Sequence, residues 1–327
     1  MKIRASQVVA IASLVAAAMG AAGAQAADKI RLAQNLSPIS GLTIIAKEKG
    51  LFEKNGLDVA VSNFTSGRQA LETVLGGGAD IATTAEAPIT AAALARQKIA
   101  LLARTEYSDV KTLTRSAAGI NKLADLKGKK IGYSAGTGSE IYTLSLLKAA
   151  GLSKSDVTLV NLRPQDMPAA LATNSIDAYD TWEPHILNGK KVLGDKAREL
   201  NTKGIYAETF NLVVSQEYLA ANEKAVVAFL KATYEAEQWL KANPQDAIAL
   251  IANATGIKKE ELAEIWSDYV FEVTLDQRTL DTLQHHVQWR LETGNAPAGA
   301  TLPDFGKVIF AAPLKTVAPE RVRIDLR

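Results

Sequence analysis

Small hydroxyl residues and a glycine follow a predicted strand near the middle of the chain. The segment Lys130–Ser134 has the composition of a buried strand, and Thr137, Gly138 and Ser139 follow it, directly before an apolar helical stretch. The first amides of a helix lack intrahelical acceptors, and the helix dipole places partial positive charge at that end. This arrangement predicts an anion-binding turn, with simple helix capping by a hydroxyl as the alternative interpretation.

Carboxylates in other loops point to a second kind of chemistry. Glu86 and Glu183 each follow a predicted strand, and neither suits a purely anionic partner, because a carboxylate in a cleft favours a cation. A salt bridge, or a charge at the entry to a helix, is the structural alternative for both. Trp182 could form a wall of the same pocket or stack on its occupant.

An enzyme is the weaker interpretation of these acids. Asp180 and Glu183 could in principle serve as an acid–base pair. The chain has 3 histidines and no cysteine, and it lacks a His-Glu-x-x-His zinc motif, a nucleophile elbow and a Gly-Lys-Ser/Thr phosphate loop. We therefore expect no catalysis, no cofactor and no metal.

The elements that position these residues occur twice along the chain. Lys29–Gln34 predicts a strand, 41–55 a helix and 56–61 the next strand, and the same order returns from Lys130 onward. Two βαβαβ units of this kind predict sheets covered by helices on both faces, with the binding loops at the carboxyl ends of the strands. The segments 106–114 and 205–214 look extended and could cross between two lobes.

Beyond Ser215 the apolar spacing is helical. Leu262, Ile265, Trp266, Tyr269 and Val270 fall on one predicted stripe, and Trp289 lies beside another. We expect these tryptophans to be core residues without a role in binding.

The first 26 residues predict export. Lys2 and Arg4 precede a short apolar run that ends in Ala24-Gln25-Ala26, which is a typical signal-peptide pattern. Cleavage there removes two of the 37 basic residues and no acidic one, which leaves 35 basic against 35 acidic residues. A neutral chain without a basic cluster gives no basis for nucleic-acid binding.

Several segments together resemble the periplasmic solute-binding proteins of ABC importers in the nitrate, sulfonate and taurine group. The resemblance covers nearly the whole mature chain. The segments on which it rests are Ala46-Lys47-Glu48-Lys49-Gly50-Leu51-Phe52 with Gly56-Leu57-Asp58-Val59, Gly78-Ala79-Asp80-Ile81-Ala82, Leu126-Lys127-Gly128-Lys129-Lys130-Ile131-Gly132 and Trp182-Glu183-Pro184.

This resemblance implies an α/β fold of the type II periplasmic binding protein class. It comprises two lobes, each a mostly parallel sheet flanked by helices, joined by a two-strand hinge. We expect a signal peptide at 1–26, a discontinuous first lobe at 27–110 plus 211–327 that includes the C-terminal helices, and a second lobe at 111–210. The implied partners are a small anionic solute and a cognate ABC permease at the inner membrane, and the protein is expected to be a periplasmic monomer.

The resemblance also places the ligand contacts. It implies contacts from Thr137, Gly138 and Ser139 in one lobe, and from Ser37, Pro38, Ser66 and Gly67 in the other, although ordinary turn chemistry also explains the latter four. Arg68 is either a further anion contact or a solvated residue.

The predicted ligand is an alkanesulfonate or a taurine-like compound. In a taurine-like relative, the acid before the proline of the Trp-x-Pro pattern meets the ligand's ammonium, and Glu183 occupies that place. Asp180 stands where a small or apolar residue is often found, which suggests a more polar pocket. Nitrate, an aromatic or other carboxylate anion, and a thiamin-pyrimidine precursor are the alternatives.

Overall fold

The structure, a computed structural model, describes residues 27–326. The predicted signal peptide at 1–26 lies outside the described residues. The described chain forms two β-sheets. In chain order, the strands are β1 (Asp28–Asn35), β2 (Leu57–Phe64), β3 (Ile81–Ala85), β4 (Ile99–Asp109), β5 (Lys111–Arg115), β6 (Lys130–Tyr133), β7 (Thr158–Asn161), β8 (Ala178–Thr181), β9 (Ala197–Glu199), β10 (Ala207–Ser215), β11 (Val270–Asp276) and β12 (Val322–Arg323).

Helices flank both sheets, and short 3-10 turns lie between them. The α-helices are α1 (Gly41–Glu48), α2 (Leu51–Lys54), α3 (Gly67–Leu75), α4 (Glu86–Leu94), α5 (Gly138–Ala149), α6 (Met167–Ala172), α7 (His185–Leu193), α8 (Gln216–Ala221), α9 (Glu223–Ala242), α10 (Pro244–Thr255), α11 (Lys259–Ile265), α12 (Gln277–Glu292) and α13 (Ala312–Val317). Among the described helices, none combines the length and apolar content that a bilayer span requires.

The larger sheet has the strand order β12-β11-β4-β10-β3-β1-β2, and the smaller has β7-β6-β8-β5-β9. Each contains a parallel set, β2-β1-β3 in one and β7-β6-β8 in the other. Strands β4, β5, β9 and β10 pair antiparallel with their neighbours. The two predicted βαβαβ units are therefore present, because alternating strands and helices of this length form right-handed parallel crossovers.

The chain passes twice between the sheets. We call the larger sheet with its helices lobe 1 and the smaller sheet with its helices lobe 2. The first passage lies between β4 and β5, at the buried Val110, and the second at 200–206, between β9 and β10. The first predicted extended segment, 106–114, therefore contains its passage, whereas the second, 205–214, lies mostly in β10 of the larger sheet, directly after its passage. The lobe boundaries at 110/111 and 210/211 stay predictions; β10 begins four residues before the second of them, at Ala207.

Two predicted elements differ from the structure. The helix expected over 41–55 divides into α1 and α2, because Gly50 takes a left-handed conformation (φ 64°) between them. The helical stripe expected to continue through Tyr269 and Val270 ends with α11, and the following segment is β11. Its sequence, Val270-Phe271-Glu272-Val273-Thr274-Leu275, is rich in β-branched residues and pairs with β4 in the larger sheet.

Apolar clusters fill each lobe, and two buried residues of lobe 2, Trp182 and Leu187, belong to the large cluster that otherwise lies in lobe 1. Trp182 follows β8 of lobe 2, yet it packs within the large apolar cluster that otherwise belongs mainly to lobe 1. It is 3% exposed. The lobes are therefore in contact through a buried aromatic side chain at the end of a strand.

Candidate ligand-binding site

Loops from both lobes enclose a small cavity between the sheets. Ser66 and Gly67 reach it from lobe 1, and Thr137 and Trp182 reach it from lobe 2. These four residues are among the predicted contacts. The cavity has a volume of about 10 Å³, which is room for no more than a water molecule. The two sets of loops therefore meet at this point. A larger cleft of about 370 Å³ also has walls in both lobes, and Ser66, Arg68 and Thr137 line it as well.

The start of α5 has the predicted capping geometry. Thr137 is the N-cap: its hydroxyl accepts a hydrogen bond from the Ser139 amide at 3.2 Å and donates to the Ser134 carbonyl at 2.7 Å. The Ser139 hydroxyl donates to the Asp180 carbonyl at 2.6 Å. Both hydroxyls are thus engaged within lobe 2, and their contact with a ligand stays a prediction.

A carboxylate from β10 lies at the Gly138 turn. Glu208 of β10 is 4% exposed and lines the cavity, and a side chain at Gly138 would collide with its carboxylate. Burial raises the pKa of the Glu208 carboxyl well above its usual range, and nearby Glu86 raises it further, whereas the Gly138 N–H opposes the rise. Glu208 therefore occupies the place where the sequence predicts the acid group of a ligand.

The start of α3 forms the opposite wall. Ser66 caps this helix by accepting a hydrogen bond from the Gln69 amide at 3.4 Å. At Gly67 a side chain would lie 2.8 Å from the Thr84 Cα, so only glycine fits. Arg68 lines the cavity and reaches across it, donating a hydrogen bond to the Ala135 carbonyl of lobe 2 at 3.2 Å. It also pairs with Glu72 at 2.8 Å.

Ser37 and Pro38 lie at the end of β1. Pro38 begins a short 3-10 turn, and Ser37 precedes it as the N-cap. Ser37 is buried, and its hydroxyl has no hydrogen-bond partner among the described residues. A buried hydroxyl without a partner is unusual and is available to a ligand. Asn35, the last residue of β1, also lines the cavity.

The three predicted acids, Asp180, Glu86 and Glu183, all have protein partners. Asp180 accepts hydrogen bonds from the Thr112 hydroxyl at 2.6 Å and the Thr143 hydroxyl at 2.7 Å, and burial raises its pKa to about 7. Glu86 begins α4 and accepts from the Thr209 amide and hydroxyl, each at 2.7 Å, and from the Tyr206 hydroxyl. Such contacts agree with the structural alternative, and their role as ligand contacts stays a prediction.

Glu183 belongs to an ion-paired cluster that joins the two lobes. One of its oxygens accepts from the Lys111 ammonium at 3.1 Å, and the other accepts from the Leu187 amide at 2.9 Å. Lys111 also pairs with Asp268 of lobe 1 at 2.6 Å. Both oxygens of Glu183 are therefore occupied, which leaves Glu208 as the carboxylate that lines the interlobe cavity.

Comparison with known proteins gives the same class of molecule. The model of the NMT1/THI5-like family matches residues 38–247, and the chain belongs to this family. A Bacillus subtilis protein named for aliphatic sulfonate binding is 30% identical over 274 residues, covering 77% of this chain and 79% of the relative. The taurine-binding periplasmic protein of Escherichia coli is 25% identical over 275 residues, covering 78% and 84%.

A solved structure shows the same fold. The alkanesulfonate-binding protein SsuA from Xanthomonas axonopodis pv. citri, bound to MOPS, superposes with a TM-score of 0.76 at 20% identity and covers 88% of this chain and all of its own length. The predicted periplasmic binding protein fold and the resemblance to this group are thereby confirmed. The relatives are named as binding proteins, which also confirms the prediction of a solute-binding protein and not an enzyme.

Proposed function

We propose that this protein is the periplasmic component of an ABC importer that captures a taurine-like amino-sulfonate by closing its two lobes. The relatives named for sulfonate and taurine binding support the ligand class. Such a ligand has a positive and a negative end. The cavity must therefore offer a group for each.

The observation that carries this proposal is the Glu208 carboxylate in the interlobe cavity. A buried carboxylate beside a ligand favours a cationic or hydrogen-bond-donating group, because its desolvation is then compensated. Glu208 fits the ammonium end of the ligand better than Glu183, whose oxygens are taken by Lys111 and Leu187. The sequence prediction of an ammonium partner is thus kept, but the residue changes.

The acid end then belongs at α3 instead of α5. Arg68 is the cation that lines the cavity, and the Ser66–Gly67 turn presents the first amides of a nine-residue helix beside it. Charge-assisted bonds from a guanidinium and the helix dipole both favour a sulfonate there. In the described structure, Arg68 donates a hydrogen bond to the Ala135 carbonyl.

Closure supplies the selectivity that an importer requires. The cavity beside Glu208 has about 10 Å³, so the loops of the two lobes must move apart there before a solute can lie against this carboxylate. Contacts from both lobes then stabilise the ligand-bound form, which a permease at the inner membrane can distinguish from the open one. The predicted signal peptide supports a periplasmic location, and we infer a monomer as the working unit.

Calorimetry with a matched pair of ligands tests the proposal. Taurine and ethanesulfonate differ only in the amino group, and nitrate, benzoate and an aminopyrimidine represent the other ligand classes. We expect taurine to bind at least about tenfold more tightly than ethanesulfonate. Glu208→Gln should remove that difference, and Arg68→Gln should weaken both sulfonates.

Glu183→Gln is the matched control, because it removes a buried carboxylate that does not line the cavity. It should leave the ratio of the two affinities unchanged. Equal binding of both sulfonates to the unaltered protein would contradict the ammonium assignment. Binding of the aminopyrimidine alone would replace the sulfonate with a heterocycle.

A further inference from the structure

A second and larger cavity lies on the other face of β10. It has a volume of about 690 Å³, within the range of small-molecule sites. Along a strand, successive side chains point to opposite faces. Ala207 and Thr209 accordingly line this groove, whereas Glu208 and Phe210 line the interlobe cavity. The groove is thus separated from the proposed solute site by the thickness of one strand.

The groove has one wall in each lobe. Helix α5 of lobe 2 contributes Ile141 and Lys148, and helix α12, which packs on α4 of lobe 1, contributes Arg278, His286 and Trp289. Strand β10 forms its floor. Any molecule that touches both walls therefore bridges the two lobes beside β10.

One side chain in the groove lacks the partners that burial demands. His286 is 4% exposed, and neither of its ring nitrogens has a hydrogen-bond partner within residues 27–326. Its Nε2 lies 3.7 Å from a Glu86 oxygen, which is too far for a hydrogen bond. Unpaired buried polar atoms cost about 1–3 kcal/mol each, so they usually indicate an absent partner.

The charges and rings of the groove define what that partner is. Lys148 and Arg278 lie on opposite walls, and neither has an ion pair in the described part of the chain, although Arg278 covers the Tyr107 ring at 4.5 Å. The described lining contains no acidic residue. Tyr206 stacks on His286 with ring centroids 5.2 Å apart, and Trp289 lies nearby on α12. This combination favours a planar ring with a negative charge.

We propose that the groove between α5 and α12 is a second ligand site, which takes a small aromatic carboxylate. Its ring packs beside Tyr206 and Trp289. Its carboxylate lies between Lys148 and Arg278 and accepts a hydrogen bond from the His286 ring. This proposal is independent of the solute proposed for the interlobe cavity.

Benzoate is the first probe, with benzamide as its uncharged analogue and cyclohexanecarboxylate as its non-aromatic one. Calorimetry on the full mature chain should show benzoate binding in the millimolar range or better, at least about tenfold tighter than either analogue. His286→Phe keeps the stacked ring and removes both nitrogens, and the double variant Lys148→Gln/Arg278→Gln removes the charges. Each should weaken benzoate binding at least about tenfold.

The control for charge is Lys154→Gln/Lys224→Gln, which removes two exposed lysines that line neither cavity. It should bind benzoate as the unaltered protein does. Arg68→Gln separates the two sites, because Arg68 lines the interlobe cavity and does not line the groove. A loss of benzoate binding in Arg68→Gln with none in Lys148→Gln/Arg278→Gln would overturn the proposal, and so would equal binding of benzoate and cyclohexanecarboxylate.

Discussion

The carboxylate of Glu208 lies against Gly138, at the first turn of α5. An acidic side chain from β10 thus takes the position that the turn offers to an anion. Glu208 and the start of α5 are about 70 residues apart in sequence, and here the carboxylate meets the partial positive charge of the helix N-terminus. The absence of a side chain at Gly138 is what allows the approach.

Gly138→Ala tests this contact. In an unobstructed helix alanine is more favourable than glycine, but here its Cβ would meet the Glu208 carboxylate, and the Tyr206 hydroxyl lies 3.1 Å from the same position. We expect a loss of about 1–3 kcal/mol in the free energy of unfolding, measured with urea. In a Glu208→Ala background the same change should cost less or should stabilise the protein. An equal cost in both backgrounds would show that the contact is not the cause.

The Lys111 cluster should contribute strongly to the lobe contact. Burial opposes the charge on Lys111, but Glu183 and Asp268 outweigh it and raise the pKa of the ammonium above its usual range. Lys111→Met leaves Glu183 buried without a counter-charge, which we expect to cost about 3–5 kcal/mol in urea unfolding. Lys111→Met/Glu183→Gln should recover much of that loss. If the double variant is as unstable as the sum of the two single variants, the pair is not coupled.

The sequence predicts the scaffold better than the site. The repeated order of strand, loop and helix identifies both parallel units, because periodicity and helix-stop glycines are local signals. The loops at their carboxyl ends follow from topology, and Ser66, Gly67, Thr137 and Trp182 indeed meet at one cavity. What each side chain contacts depends on residues far away in the chain.

Glu208 shows the difference. It belongs to the segment 205–214 that is predicted to cross between lobes, but nothing local indicates that it faces Gly138. It is the one charged residue of that segment, which is a signal that could have identified it. Trp289 has both features, since it packs against an apolar cluster of lobe 2, as its position beside a helical stripe predicts, and it also lines the groove.

Asp180 should make the protein less stable as the pH rises. Burial raises its pKa from 3.8 to about 7, so the folded protein binds this proton more tightly than the unfolded chain does. Its contribution to stability is complete below pH 3.8 and is lost progressively as the pH rises towards 7. Urea unfolding of Asp180→Asn across this range should lack that decline. A parallel decline in the variant would assign it to another group.

His286 should have the opposite effect. Burial, with help from Arg290 and His285, lowers its pKa from 6.5 to about 3, so the unfolded chain binds this proton more tightly. Stability should therefore increase between pH 3 and 6.5 as the unfolded state loses its advantage. His286→Phe should flatten this increase in urea unfolding. Because the two effects oppose each other over much of the same range, only the single variants separate them.

The alternation of side chains along β10 has a genetic consequence. Between Ala207 and Phe210, even-numbered positions line the interlobe cavity and odd-numbered positions line the groove. A substitution here alters the lining of one of them and leaves that of the other unchanged, so the two can diverge separately during evolution. A one-residue insertion or deletion has no such freedom, since it exchanges the linings of both at once.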